Sequence, residues 1–270
     1  MGRPFFTTLQ IPADQAGAAD LYGRIFRGEI NGVILERFLS AERAAELVRR
    51  LENGELAVPK RPFAREFEAY SIGPCLDQTE DHGVPYFDRV TEFNAAVRAL
   101  FERDIHAALL SLLQSIVENA TLCVPKNSDG RSYGTTTLRC LPPGGLIPPH
   151  CENEQIGRSP YEHLRSLIEP AIISFYLQLA PAEQGGELAV HNMGFHELHT
   201  VEMRNRHSFV GGALNSRERV TLTPQAGDVI VFDAGRYFHQ VLPVKGTRSR
   251  WTMGGFTAYS HDHSNVFVWA

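Results

Sequence analysis

The spacing of apolar residues changes character near residue 122. Before that point it follows a helical period. Ala44, Ala45, Leu47, Val48 and Leu51 form one stripe, with Ser40 as candidate N-cap, Glu42 in the first turn and Gly54 as a C-terminal stop. A longer helical region is expected from about Thr91 to Asn119, where Phe93, Val97, Leu100, Phe101, Leu109, Leu112, Leu113 and Ile116 recur. Such stripes read as helices packed on a sheet. After residue 122, short apolar runs alternate with Gly/Pro turns, as in an all-β unit. The expected strands are Thr135–Leu141, Ile172–Leu179, Glu187–His191, Arg219–Leu222, Asp228–Asp233, Phe238–Val244 and Trp251–Tyr259. Pro142, Pro143, Gly144 and Gly145 make one turn, and Gln184-Gly185-Gly186-Glu187 another. The stretch Asn192–Ser216 has no clear period and reads equally as a lid over a site or as a surface insertion.

These patterns predict an α+β protein with a β-dominated core. The expectation is a single domain over residues 1–270, with 1–121 a mostly helical support and 122–270 the β core. The 270 residues, 43% hydrophobic and 21% charged, suit an ordinary globular domain with a sizeable core. A net charge of -5 provides no basic stripe, which argues against a nucleic-acid partner. No apolar run reaches membrane-spanning length and the N-terminus lacks a signal-peptide pattern, so a cytoplasmic location is expected. Cys75, Cys123, Cys140 and Cys151 show no C-x-x-C spacing and read as free thiols in a reducing compartment.

The candidate chemistry lies in Pro148-Pro149-His150-Cys151-Glu152, then Gly227-Asp228 to Phe232, then His239, then Arg248 and Arg250. Two imidazoles and one carboxylate bind one face of Fe(II) and leave positions open for oxygen and a co-substrate. In an extended segment His150 and Glu152 share one side, while Cys151 points away. Glu154 is a rival carboxylate on the same side. His239 must arrive from another strand, which a jelly-roll barrel brings about. A dicarboxylate co-substrate chelating the metal would leave a far carboxylate to be held by an arginine. Arg250 with Thr252 is favoured for that role, and Arg248, expected on the same strand face, is the second candidate.

The chain resembles the Fe(II)/2-oxoglutarate-dependent oxygenases of the prolyl-hydroxylase-like, double-stranded β-helix (jelly-roll, cupin-like) superfamily. The resemblance is carried by Leu138-Arg139, His150-x-Glu152, Ser174-Phe175-Tyr176-Leu177, Gly185-Gly186-Glu187-Leu188, Gly227-Asp228 to Phe232 and His239 to Val244 with Gly246-Thr247-Arg248. It is closer still to the freestanding halogenases of indole alkaloids and free amino acids. That similarity lies in Gly130-Arg131-Ser132-Tyr133, Thr137-Leu138-Arg139, Phe232 to His239, Thr252 to Phe256 and Phe267-Val268-Trp269. In those halogenases a glycine replaces the carboxylate ligand and chloride takes the vacated position. Glu152 departs from that pattern, and from the more common aspartate.

The resemblance implies Fe(II) as cofactor, with 2-oxoglutarate and O2 as co-substrates, and oxidation of an unactivated C–H bond in a free small molecule. Glu152 turns the expected outcome from halide transfer to hydroxylation. Ring closure, desaturation or halogenation on the same cofactors is the alternative, and a non-catalytic cupin-like binding protein a further one. Tyr133, Thr137, Arg139, Phe175, Phe256 and Trp269 are the candidate pocket residues.

Overall fold

A computed structural model describes residues 4–63, 67–78, 84–101, 104–200, 214 and 216–270. Its helices are α1 (Leu21–Phe26), α2 (Ala41–Glu52), α3 (Val84–Phe101), α4 (Ile105–Ser115) and the single turn α5 (Glu162–Arg165). Ser40 caps α2, its hydroxyl accepting from the Arg43 amide. The long stripe after Thr91 is divided between α3 and α4, because Asp104 caps a new helix by accepting from the Ala107 amide.

The strands are β1 (Thr8–Pro12), β2 (Gly32–Glu36), β3 (Lys60–Pro62), β4 (Tyr70–Ile72), β5 (Thr121–Cys123), β6 (Thr137–Leu141), β7 (Ile147–His150), β8 (Ile173–Ala180), β9 (Gln184–Gly185), β10 (Leu188–Gly194), β11 (Arg219–Leu222), β12 (Val229–Phe232), β13 (Tyr237–Val241), β14 (Val244–Lys245), β15 (Arg250–Tyr259) and β16 (Asn265–Trp269). The larger sheet runs β1-β2-β12-β8-β15-β6-β4-β3, with β16 joining β15 to β5. The smaller runs β11-β10-β13-β7, and β9 pairs with β14 in a short ribbon. This is the jelly-roll arrangement expected.

Strand alternation divides the larger sheet into two faces. Leu138, Cys140, Leu177, Leu179, Val229, Val231, Trp251 and Met253 point outward into a core completed by Leu47 and Leu51 of α2, Phe93 and Val97 of α3, and Leu109 and Leu113 of α4. On the inner face, Ile230 and Phe232 meet Leu188 and Val190 of the smaller sheet. The site lies between the sheets.

The first 121 residues carry the expected helices but also strands built into the larger sheet. β2 pairs with β12, and β4 with β6. Gly-Val-Ile-Leu in β2 is buried throughout, so it lacks the polar alternation that marks a half-exposed strand. β3, β4 and β5 are three residues each, too short to display a period. β7 contains Pro148 and Pro149, which an edge strand tolerates because one side needs no ladder partner. Among the described residues no helix is long and apolar enough to cross a membrane.

Candidate metal centre

β7 and β13 run antiparallel with His150 directly opposite His239. Each imidazole is anchored to its own strand. His150 Nδ1 donates to the Pro148 carbonyl at 2.8 Å, and His239 Nδ1 to the Tyr237 carbonyl at 3.1 Å. A carbonyl can only accept, so each Nδ1 carries a proton and each Nε2 keeps its lone pair when the ring is neutral. Phe232 packs edge-on against His239, with centroids 5.2 Å apart.

Both Nε2 atoms face Glu152 Oε1, at 3.4 Å from His150 and 3.6 Å from His239. Cys151 is extended (φ -135°, ψ 134°), so His150 and Glu152 emerge on one side. Its thiol turns the other way, donating to the Gly235 carbonyl at 2.9 Å and packing with Met193, Leu214 and Phe238. Glu152 opens a 3-10 helix (Glu152–Gly157), and its amide donates to the Ala234 carbonyl at 3.0 Å. The turn after β12 thus pins the carboxylate's backbone.

Glu152 is 2% exposed, and its Oε2 has no hydrogen-bond partner among the described residues. Burial disfavours its charge, but the facing His150 and His239 outweigh that and hold its pKa below the usual carboxylate range. Burial, reinforced by the neighbouring His150, pushes His239 down. His150 is opposed by burial too, yet contact with Glu152 raises it. Two lone-pair nitrogens converging on a buried carboxylate with an unsatisfied oxygen is a donor set that fits a metal ion. The candidate ligand atoms of His150, Glu152 and His239 lie within 4.8 Å of one another, and Glu154 is outside this group.

The triad opens into a cavity between the sheets. Arg250 and Thr252 line it from the inner face of β15. Arg250 is 4% exposed, and its guanidinium lies 5.2 Å from the Tyr176 ring centroid, with no carboxylate partner among the described residues. Burial lowers its pKa. Arg248 does not reach the cavity. It precedes β15, its side chain is 72% exposed, and it pairs with Glu183 at 3.1 Å. The expected shared strand face does not exist, because the strand begins only at Arg250.

Of the six pocket candidates, Arg139, Phe175 and Phe256 line the cavity. Phe175 only touches it, since Phe175 belongs to the outward core. Tyr133, Thr137 and Trp269 are not among the residues that line it. The Tyr133 hydroxyl meets His163 Nδ1 at 3.1 Å, Thr137 Oγ1 donates to the Ile72 carbonyl at 3.0 Å, and Trp269 is fully buried beside Phe256. Ser174, Tyr176 and Phe232 line the cavity without having been expected there. Alternation along β8 carried the signal: Ser174 and Tyr176 have the parity opposite to Phe175 and Leu177. In the stretch Asn192–Ser216, β10 ends at Gly194 and a 3-10 helix follows (Phe195–Thr200). The lid or insertion falls on residues 201–213 and 215, which lie outside the described residues.

A family model described as carrier-protein-independent halogenase WelO5 matches residues 5–270. No curated protein matches the chain significantly. The fold is similar to that of an N-substituted L-amino acid dioxygenase from Burkholderia ambifaria AMMD, at 16% identity over 91% of this chain and 89% of that one, with a TM-score of 0.58. A structure of such a dioxygenase from the same organism in complex with alpha-KG is similar at 14% identity over the same shares, TM-score 0.54. The alpha ketoglutarate dependent epimerase SnoN from nogalamycin biosynthesis is similar at 12% identity over 88% of this chain and 84% of that one, TM-score 0.53. At such identities these likenesses are statements of fold.

Proposed function

The chain belongs to the WelO5 family of carrier-protein-independent halogenases and is an iron(II)- and 2-oxoglutarate-dependent oxygenase, and from that premise we propose that it hydroxylates an unactivated C–H bond of a free small molecule. The overall reaction would be R–H + 2-oxoglutarate + O2 → R–OH + succinate + CO2. The observation that carries this reading is Glu152, a buried carboxylate facing both histidines. A halide needs the position that this carboxylate occupies.

In this reading His150, Glu152 and His239 hold the metal. Iron bound there supplies the redox chemistry that couples 2-oxoglutarate decarboxylation to C–H oxidation. The two Nδ1–H bonds fix the ring orientations, and the Glu152 amide bond fixes the carboxylate. Arg250 and Thr252 bind the far carboxylate of 2-oxoglutarate, a role supported by a buried guanidinium with no acid beside it. Phe232 and Phe256 supply apolar walls that exclude water. Residues 1–270 act as one domain, its helices backing the larger sheet. A free amino acid or a natural-product intermediate is the substrate class we favour, in line with the descriptions of the structural relatives. The four free cysteines agree with a cytoplasmic location.

The family match favours a second outcome, halogenation. Product mass separates the two. Turnover with iron, 2-oxoglutarate, O2 and chloride should add one oxygen; chlorine in place of hydrogen would overturn hydroxylation.

A further inference from the structure

Two guanidiniums face the cavity, the buried Arg250 and the half-buried Arg139. Arg139 on β6 pairs in register with Thr252 on β15, so both project from the same face of adjacent strands. Its Cζ lies 5.5 Å from the Phe63 ring centroid and 5.8 Å from that of Phe256. Several other arginines pair with acids: Arg131 with Asp88, Arg217 with Glu197, Arg236 with Asp233, Arg248 with Glu183. Arg139 has no such partner among the described residues. A guanidinium held through its face by aromatic rings retains its in-plane N–H groups for a bidentate anion.

Charge balance leads to the same conclusion. Among the described lining residues, Glu152 is the single carboxylate against two guanidiniums. A divalent metal and a dianionic 2-oxoglutarate cancel each other. Glu152 offsets one guanidinium, and one positive charge is left over. A surplus positive charge on the walls of a cavity favours an incoming anion.

We propose that Arg139 is the specificity-determining residue for the organic substrate, and that it binds a carboxylate which that substrate carries. The substrate is then a free carboxylic acid whose apolar body lies against Phe256, Ile147 and Val241. This rests on the oxygenase reading for the identity of the other cavity occupants.

The test is calorimetric titration of protein loaded with zinc and 2-oxoglutarate, which does not turn over. The probes are L-phenylalanine, L-leucine and 3-phenylpropanoate, each beside its methyl ester. Wild type should bind at least one acid roughly a hundred-fold more tightly than its ester. Arg139→Gln should abolish the preference, Arg139→Lys should restore part of it, and both should bind 2-oxoglutarate as wild type does. The proposal is overturned if no acid is preferred, if the preference survives in Arg139→Gln, or if Arg139→Gln instead loses 2-oxoglutarate. The last result would make Arg139 a co-substrate residue. Acid binding that needs Arg139, with a turnover product that gains no oxygen, would uphold this inference while removing the hydroxylation reading.

Discussion

The imidazoles of His150 and His239 stand 4.3 Å apart, centroid to centroid, at an interplanar angle of 56°, across a two-strand ladder that pairs the two residues directly. Glu152, two residues beyond His150, closes the third corner. The arrangement is fixed by backbone register more than by side-chain choice. A one-residue slip of β7 would turn His150 to the opposite face.

Replacing Glu152 by Gly should therefore change the reaction outcome as well as its rate. Hydroxylated product is expected to fall by more than about 100-fold, since a direct ligand matters at least as much as the groups that orient ligands. With chloride present, a chlorinated product should appear. Mass spectrometry of the products reads both, and absence of chlorination would mean that other groups also hold the halide out.

Arg250→Ala should raise the KM for 2-oxoglutarate by roughly 30-fold or more, the usual consequence of removing one partner of a buried charge pair. Arg248→Ala should leave that KM unchanged and shift stability by less than about 0.5 kcal/mol, because its ion pair with Glu183 is exposed. Succinate release against 2-oxoglutarate concentration distinguishes the two arginines.

Gly254 sits on the inner face of β15 beside the cavity. A Cβ there would collide with the Phe175 carbonyl oxygen and Tyr176 Cβ of the neighbouring strand. Gly254→Ala should cost about 1–3 kcal/mol in urea unfolding. It should also weaken 2-oxoglutarate binding, because β15 carries Arg250 and Thr252. Unchanged stability would mean that the two strands can separate locally.

Asp233 is buried, and burial raises its pKa to about 6 in spite of the Arg236 partner. Raised above the ordinary 3.8, it binds its proton more tightly when folded. Its contribution to stability is thus complete below pH ~4 and lost as pH rises through ~6, amounting to roughly 2–3 kcal/mol. Asp233→Asn should lose that dependence. Urea midpoints at pH 4.5 and pH 7 should differ more in wild type than in the variant, in the direction of lower wild-type stability at pH 7.

Much of the site was legible from adjacent residues. The H-x-E triplet needs only an extended Cys151 to place two side chains together, and that residue is extended. Ser40 and Glu42 announced α2 because capping is settled within one turn. Legibility failed where parity depended on a strand's first residue. Arg248 and Arg250 share a parity, yet β15 starts at Arg250 and leaves Arg248 in solvent. Phe175 lines the cavity as expected, yet it also belongs to the outward core, and its neighbours Ser174 and Tyr176 line the cavity without having been expected there.

By itself the sequence determined what local forces decide: the helices with caps and stripes, the main strands, and a ligand set spaced for one metal. Tertiary structure decided which short N-terminal segments become strands, since β2, β4 and β5 are held in the larger sheet by β12, β6 and β16, all distant in the chain. It also decided which side of each strand meets the cavity, and left Arg139 and Arg250 there without acids. Those outcomes depend on how two sheets close around a shared space, and no window of neighbouring residues contains that information.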